Sequence, residues 1–220
     1  GAPVSGSRAD PWHAPPVDPR WSIVVPIRLQ TAKTRLSTRP APLRETLMVA
    51  MALDVIAAVR ACPHISDIRI IGDDRAHELL IDTADRFDAV TFLKDPGDGL
   101  NGALTAGSRG ISGPVAALLA DLPCLTADLL TRVLTAWPDQ RAIVSDTEGI
   151  GTTMLMASSG QLLRPHFGPR SRAAHISDGA VDIADRFPGE FAGLRRDVDS
   201  EVGLWDAQRI GLGPHTTSLL

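Results

Sequence analysis

Two cations lie in the loop that follows the first strongly apolar segment of the chain. The segment IVVPI is followed by RLQTAKTRLS, in which Lys33 and Arg35 stand two positions apart, and Lys94 is the only other lysine. An ammonium and a guanidinium group both bind phosphate well, although a solvated basic turn would contain the same residues. The loop lacks GxxxxGK[ST] and GxGxxG, so it is neither a P-loop nor a dinucleotide-binding turn.

Carboxylates stand at two later places in the sequence. Asp121 comes directly after the apolar run VAALLA, and Asp197 and Asp199 alternate in RRDVDS. We interpret the second motif as a short strand, which places both carboxylates on one face, where a cation would relieve their repulsion. Mg²⁺ prefers such oxygen ligands and often takes only one or two carboxylates. The alternatives are a capping or turn aspartate at position 121 and a solvated edge strand at positions 197 and 199.

A flexible turn, DPGDG, precedes the only asparagine of the protein, Asn101. A carboxylate such as Asp95 or Asp98 could accept hydrogen bonds from guanine N1–H and N2–H₂, and adenine would leave that carboxylate unpaired. The alternative is a turn followed by a helix N-cap.

Hydroxyl groups and a predicted helix start come later in the chain. Thr152 and Thr153 follow a glycine-rich turn, and FGPRSRAAH places Gly168 and Ser171 where a helix begins. A helix start can bind phosphate or carboxylate, or it can simply be capped. His175 is a candidate for the same region, although a lone histidine is more often structural. The histidines show no metal-ligand spacing, and no GxSxG motif supports a nucleophilic hydrolase.

The elements that would position these residues alternate along the chain. We predict strands at 22–27, 67–72, 89–93, 115–120, 141–145 and 152–157, and helices at 43–61, 74–86, 99–109, 126–137 and 200–210. Only Asp54 interrupts the apolar face of the first helix. Alternation of this kind predicts an α/β fold with a mostly parallel, Rossmann-like sheet and helices on both faces. Ligands then bind beyond the carboxyl ends of the strands.

Length and composition favour one domain over residues 21–220, preceded by a flexible, proline-rich extension at 1–20. Residues 158–192 break the alternation and suggest a loop-rich insertion near the active edge of the sheet. The net charge of −4 gives no electrostatic footprint for nucleic acid, and no apolar run approaches the roughly 20 residues that cross a bilayer. We therefore expect a cytoplasmic protein without membrane or nucleic-acid partners. Cys62 and Cys124 are expected to be core thiols.

Six blocks in order resemble the CofC/FbiD family, the 2-phospho-L-lactate or phosphoenolpyruvate guanylyltransferases of coenzyme F-420 biosynthesis. The blocks are VVPIRLQTAKTRLS, DPGDGLNGAL, LLADLPCLT, EGIGTTML, FGPRSRAAH and DVDSEVGLWDA. The resemblance implies the nucleotidyltransferase fold that molybdenum-cofactor guanylyltransferase also has. It implies transfer of GMP from GTP to the phosphate of phosphoenolpyruvate or 2-phospholactate, with Mg²⁺ as cofactor. It also implies a downstream transferase of the deazaflavin pathway as a partner.

Matching the blocks one by one gives each candidate residue a role by resemblance. Lys33, Arg35 and Asp121 would be catalytic. Nucleotide binding would fall to Lys33, Arg35, Asp95, Gly99 and Asn101, acceptor binding to Thr153, Gly168 and Ser171, and metal binding to Asp121 with Asp197 or Asp199.

The chain departs from the family pattern at three places. It has Gly-Thr-Thr where relatives read GTN, Arg170 where they read glycine in FGPGS, and DVDSEVGL where they read DxDTPEDL. The first two departures fall in the implied acceptor pocket, so they leave the acceptor open among phosphoenolpyruvate, 2-phospholactate and 3-phosphoglycerate. Competing interpretations are another nucleotidyltransferase of this fold, a glycosyltransferase on a similar sheet, and a non-catalytic GTP-binding module.

Overall fold

A computed structural model describes residues 20–30, 39–85 and 89–220 of the chain. Most of the predicted extension at 1–20 therefore lies outside the described residues. The described elements, in chain order, are β1 (Trp21–Ile27), α1 (Ala41–Ala61), β2 (Ile65–Gly72), α2 (Asp74–Asp85), β3 (Val90–Lys94), α3 (Gly99–Gly107), β4 (Val115–Leu118), α4 (Ala127–Thr135), β5 (Ala142–Ser145), β6 (Thr152–Ala157), α5 (Ser171–Ser177), β7 (Val181–Asp182), α6 (Ile183–Arg186), α7 (Ala192–Arg195), α8 (Glu201–Ile210) and α9 (Pro214–Thr217). None of the described helices is long and apolar enough to cross a membrane.

The described strands form one seven-stranded sheet in the order β3-β2-β1-β4-β6-β5-β7. Strand β6 runs antiparallel to β4 and β5, and the other neighbours are parallel. The predicted α/β fold with a mostly parallel sheet is confirmed. The strand order reverses between β1 and β4, and in open α/β sheets the crevice beyond such a reversal is where ligands bind.

Alternating side chains of the central strands build a separate core on each face of the sheet. Ile23 and Val25 of β1 pack into the core that contains α1, α2 and α4, whereas Val24 packs into the core that contains α3. The same alternation places Leu118 on the first side and Ala117 on the second. Because strands buried on both faces must be apolar throughout, these segments read as continuous hydrophobic runs in the sequence.

The one polar residue on the apolar face of α1 connects that helix to the end of the chain. Asp54 is buried, and its carboxylate accepts from the backbone N–H of His215 at 2.9 Å, from the N–H of Thr216 at 2.9 Å and from the Thr216 hydroxyl at 2.6 Å. A Cβ at Gly213 would collide with the hydrogen-bonded carboxyl group of Asp54, so glycine is favoured there. Asp54 therefore fixes the start of α9.

Two predictions of secondary structure need correction. Residues 158–192 are rich in loops, as predicted, but they are more than an insertion, since they also contain α5, α6 and the strand β7, which pairs in parallel with β5. Asp197 and Asp199 lie in an irregular segment between α7 and α8 instead of on a strand. The segment is held by Val198, whose side chain is fully buried and whose N–H donates to the carbonyl of Asp121 at 3.0 Å. The Thr126 and Ser200 hydroxyls cap α4 and α8, because they accept from Leu129 N–H and Gly203 N–H.

Candidate active site

A largely apolar cavity of about 350 Å³, here called cavity A, opens beyond the carboxyl ends of β1 and β4. Met48, Leu100 and Leu119 contribute to its apolar lining, and Asp121 and Asp197 are its acidic residues. Among the described residues, Arg28 is the cation that lines it. A mainly apolar lining with a few polar groups is common in sites that bind small molecules.

A larger and more polar cavity of about 620 Å³, here called cavity B, lies beside cavity A under β6 and α5. Its lining includes Thr152 of β6, the segment from Phe167 to Ser171, and Asp197 and Asp199. Gly168 and Ser171, both predicted acceptor residues, are therefore brought together on one wall. Asp197 and Asp199 both face this cavity even though they do not lie on a strand.

The two cavities meet at a shared boundary. Leu100, Leu119 and Asp197 line both of them, and Asp121 lines cavity A at the same edge. The hydrogen bond from Val198 to the Asp121 carbonyl fixes the two acidic segments side by side. A molecule in each cavity would thus face the other across Asp121 and Asp197.

An acidic group that the sequence analysis missed lies at this boundary. Ligand atoms of Asp146, Glu148 and Asp197 all fall within 4.8 Å of one another, and this is the group of described residues that could hold a metal ion. Asp121 and Asp199 are not members of that group. The signal was present in the sequence, since Asp146 directly follows β5 at the same carboxyl edge of the sheet.

Cavity B carries an excess of negative charge. Its lining contains five carboxylates and two guanidinium groups: Asp146, Glu148, Asp197, Asp199, Asp206, Arg170 and Arg196. Arg196 already pairs with Glu148 at 3.2 Å and with Asp206 at 3.8 Å. Such a cavity repels an anion unless a cation is added, and oxygen donors are the ligands that Mg²⁺ prefers. The donor set at this boundary therefore fits a divalent cation.

Residues 163–171, here called the acceptor wall, are held by the polar side chains of Arg141, Asn101 and His175. The Arg141 guanidinium donates to the carbonyls of Leu163 and Arg164. Asn101 of α3 donates to the Phe167 carbonyl at 2.9 Å and accepts from the Phe167 N–H at 2.8 Å. Both polar atoms of the Asn101 amide therefore bond to the acceptor wall. Asn101 itself lies on α3, which was predicted to line the nucleotide.

His175 also supports this wall, and its side chain is fully buried. Its Nε2 accepts from the backbone N–H of His166 at 2.9 Å, and its Nδ1 lies 3.0 Å from the Thr152 hydroxyl. The Ser171 hydroxyl donates to Thr152 Oγ1 at 3.1 Å. Burial, and then the positive charge of Arg141, lower the pKa of His175 to about 4, so the ring is neutral at neutral pH.

The two adjacent threonines differ in their surroundings. Thr153, the predicted acceptor residue, is fully buried, and its hydroxyl donates to the Val144 carbonyl at 3.3 Å. Thr152 lines cavity B instead. Neighbouring residues of a strand face opposite sides of the sheet, and the sequence alone does not say which of the two hydroxyls faces the ligand.

Asp95, Gly99 and Asn101, the residues predicted to bind the nucleotide besides Lys33 and Arg35, line neither cavity, although Leu100 between them lines both. Asp95 follows β3, pairs with Arg28 at 3.4 Å and accepts from Gly97 N–H at 2.8 Å. Gly99 begins α3 with φ of +90°, a left-handed conformation that favours glycine. Lys33 and Arg35 lie outside the described residues. Arg28, which the sequence analysis did not single out, directly follows β1 and so reaches cavity A.

Comparison with known proteins shows what the sequence and the fold of this chain resemble. The family model described as guanylyl transferase CofC like matches residues 21–181. The chain is 40% identical to the phosphoenolpyruvate guanylyltransferase of Streptomyces coelicolor over 209 residues, which cover 91% of this chain and 95% of that protein. It is 39% identical to the phosphoenolpyruvate guanylyltransferase of Salinispora arenicola over 210 residues, covering 90% and 92%. The structure of a nucleotidyl transferase from Methanothermobacter covers 87% of this chain and 97% of its own, with a TM-score of 0.61 at 16% identity, which supports the fold alone.

Proposed function

Since the chain belongs to the family of CofC-like guanylyl transferases and is a nucleotidyltransferase, we propose that it transfers GMP from GTP to the phosphate of phosphoenolpyruvate. A phosphate oxygen of the acceptor attacks the α-phosphorus of GTP, a new P–O–P linkage forms, and the bond to the β-phosphate oxygen breaks. Diphosphate leaves. The reaction needs no covalent enzyme intermediate, so catalysis consists of positioning and charge neutralisation.

The observation that carries the proposal is the shared boundary of cavities A and B. A transfer reaction requires two substrates whose reacting atoms meet, and the cavities meet at Leu100, Leu119 and Asp197. Cavity A, with its apolar walls, takes the guanosine. Cavity B, with hydroxyl groups along one wall, takes the small phosphorylated acid.

Cations on the nucleotide side neutralise the triphosphate. Arg28 lines cavity A and is oriented by its pairing with Asp95. Lys33 and Arg35 follow five and seven positions later in the sequence and are proposed to hold GTP phosphates as well. Asp95 would then act on the nucleotide indirectly, through Arg28.

Asp121 and Asp197 are proposed to hold Mg²⁺, with Asp146 and Glu148 or Asp199 completing its surroundings. When bound, the cation neutralises charge on the phosphates of both substrates. The chain's own residues do the rest: the acidic boundary fixes where the two phosphates approach, and the wall from Gly168 to Ser171 orients the acceptor.

Asp197 borders both cavities, whereas Asp199 lines cavity B alone. We therefore expect Asp197→Asn to lower kcat/KM for both substrates by at least about a hundredfold, and Asp199→Asn to act mainly on the acceptor. Steady-state kinetics of the two variants, each at saturating concentration of the other substrate, make the comparison. Equal effects of both substitutions on both substrates would contradict this assignment.

We also propose which acceptor is used and in which pathway the reaction takes place. The relatives are named for phosphoenolpyruvate, and 2-phospholactate differs from it by a double bond, which a pocket discriminates weakly. A product with a new phosphoanhydride bond is reactive, so a downstream transferase of coenzyme F-420 biosynthesis would draw it off.

The proposal is tested by diphosphate release with GTP and Mg²⁺, comparing phosphoenolpyruvate, 2-phospholactate and 3-phosphoglycerate with no acceptor. We expect release that requires phosphoenolpyruvate and GTP, that fails with ATP, and that Asp121→Asn abolishes without lowering the melting temperature. Release with ATP, or activity of Asp121→Asn equal to that of the unmodified protein, would contradict the proposal.

A further inference from the structure

The hydroxyl groups of Thr152 and Ser171 in cavity B are connected to the buried side chain of His175. The surroundings of His175 determine which of its ring nitrogens carries the proton. The backbone N–H of His166 can only donate, and its nitrogen lies 2.9 Å from Nε2 of His175. Nε2 therefore carries a lone pair, and in the neutral ring the proton sits on Nδ1. Nδ1–H in turn faces the Thr152 hydroxyl oxygen at 3.0 Å.

The Thr152 oxygen thus accepts from two donors. One is Nδ1–H of His175, and the other is the Ser171 hydroxyl at 3.1 Å. A hydroxyl oxygen has two acceptor sites and one proton. With both acceptor sites engaged, the proton of Thr152 is directed away from these partners, and Thr152 is a lining residue of cavity B.

We propose that His175 is a positioning residue that sets the direction of this hydrogen-bond chain, so that the Thr152–Ser171 pair presents a proton to an anionic oxygen of the acceptor. The chain runs from His166 N–H to His175, from His175 to Thr152, and from Thr152 into the cavity. Hydrogen bonds in such a chain polarise one another, and a donor aimed at an anion is stronger than one between neutral groups.

The direction matters because of the charge of the cavity. A hydroxyl that turned its lone pair towards the cavity would repel an anionic acceptor. Carboxylates of the same cavity, such as Asp197 and Asp199, already repel that anion. A hydroxyl whose acceptor sites are already used binds a carboxylate or phosphate oxygen without reorienting. The inference rests on the proposed function, since it specifies which anion-binding group of the acceptor wall depends on a residue that does not touch the substrate.

Two substitutions of His175 separate positioning from mere support of the wall. In His175→Asn the amide nitrogen lies near the place of Nδ1 and keeps a donor for Thr152. In His175→Gln the amide oxygen lies near the place of Nε2 and keeps an acceptor for His166 N–H. We expect His175→Gln to raise the KM for phosphoenolpyruvate about tenfold and His175→Asn less than about threefold, with the KM for GTP unchanged in both. The reverse order would show that the histidine only supports the wall and would overturn the inference.

A double substitution tests whether the effect passes through Thr152. Thr152→Val should raise the acceptor KM as much as His175→Gln does, and Thr152→Ser should restore it. The double variant His175→Gln/Thr152→Val should be no worse than Thr152→Val alone, because both changes remove the same interaction. Additive effects would contradict the connection.

Two further measurements keep this test separate from the test of the proposed function. In ¹⁵N-histidine spectra of the unmodified protein, with His175→Asn identifying the signal, His175 should carry its proton on Nδ1, and a proton on Nε2 would overturn the inference. If the protein releases no diphosphate, the proposed function fails, and calorimetric binding of phosphoenolpyruvate with Mg²⁺ replaces the KM comparison. Absence of binding, or equal affinity in all variants, would then overturn the inference as well.

Discussion

Two buried ionisable side chains, Asp54 and His175, stand at contrasting regions of the molecule. At the junction of α1 and α9, the Asp54 carboxylate accepts three hydrogen bonds, all from His215 and Thr216. At the acceptor wall, His175 is also buried, but its hydrogen bonds lead through Thr152 to cavity B. Buried polar groups are nearly always satisfied, so burial does not distinguish structural from functional residues. The difference lies in where the chain of partners ends.

The comparison of Asp54 with His175 predicts its largest effect, a loss of stability, at the α1–α9 junction. Asp54→Ala leaves two backbone N–H groups and a hydroxyl without their acceptor and should lower the free energy of unfolding by about 4 kcal/mol. Urea unfolding measures the loss, and the KM values of the folded variant should not change. Asp82→Ala on the exposed face of α2 is the matched control, with an expected change below about 0.5 kcal/mol. Altered substrate KM with unaltered stability would place Asp54 in the active site and end the contrast.

The second effect concerns the pH dependence of stability at the acceptor wall. The pKa of His175 falls from 6.5 to about 4 on folding, so between these values the unfolded chain binds a proton that the folded chain does not. This contribution is fully present above pH 6.5 and is lost as the pH falls towards 4, by at most about 3 kcal/mol. His166, Arg141 and Asp178 also interact with the ring, and hydrogen bonding to His166 lowers the pKa of Asp178, so that carboxyl titrates below this window.

Urea unfolding at a series of pH values measures that contribution. In His175→Asn the curve should lose this part of its slope, while His64→Asn, which changes a histidine outside the wall, should keep it. Parallel curves for His175→Asn and the unmodified protein would contradict the neutral, buried state of the ring.

The third effect tests the connection from α3 to the acceptor wall. Asn101→Ala removes both hydrogen bonds to the backbone of Phe167 and should cost about 2 kcal/mol of stability together with a raised acceptor KM. Thr105→Ala, one turn later on the exposed side of α3, should change neither. A raised KM for GTP with an unchanged acceptor KM would return Asn101 to its predicted nucleotide role.

The smallest effect concerns backbone strain beside cavity B. Arg170 has φ of +55° and Asp139, in a distant turn, has φ of +60°. Replacement of either by glycine should raise the free energy of unfolding by up to about 1 kcal/mol, because L-residues are disfavoured in this conformation. Only Arg170→Gly should also raise the acceptor KM, since Arg170 lines cavity B. Identical kinetics of the two variants would show that Arg170 does not contribute to acceptor binding.

The sequence predicted the regular elements well because their signals are local. The strands buried on both faces appear as continuous apolar runs, and the N-caps at Thr126 and Ser200 directly precede their helices. Strand β7 escaped prediction since it has two residues, too few for a periodic pattern. The segment at Asp197 and Asp199 resembles a strand by alternation, but its geometry is set by the burial of Val198 and its bond to Asp121.

The site itself depends on contacts between distant positions. Asn101 bonds to Phe167, 66 residues away, and Thr152 faces His175, 23 residues away. Nothing in the local sequence of either residue specifies these partners. Asp54 was visible as a break in an apolar face, yet its role depends on residues about 160 positions later. The resemblance implied the chemistry of the site, and the structure placed Arg28, Asp146 and Thr152 in the lining of the two cavities, with His175 behind Thr152.

The central claim is that two substrates meet across Asp121 and Asp197, and diphosphate release tests it most directly. With GTP, Mg²⁺ and phosphoenolpyruvate, we expect one diphosphate per GTP consumed and a product that contains both GMP and the acceptor. Removal of the acceptor or chelation of the metal should stop the release. Diphosphate formation that proceeds at the same rate without any acceptor, or GTP consumption that yields only GDP and phosphate, would contradict the account.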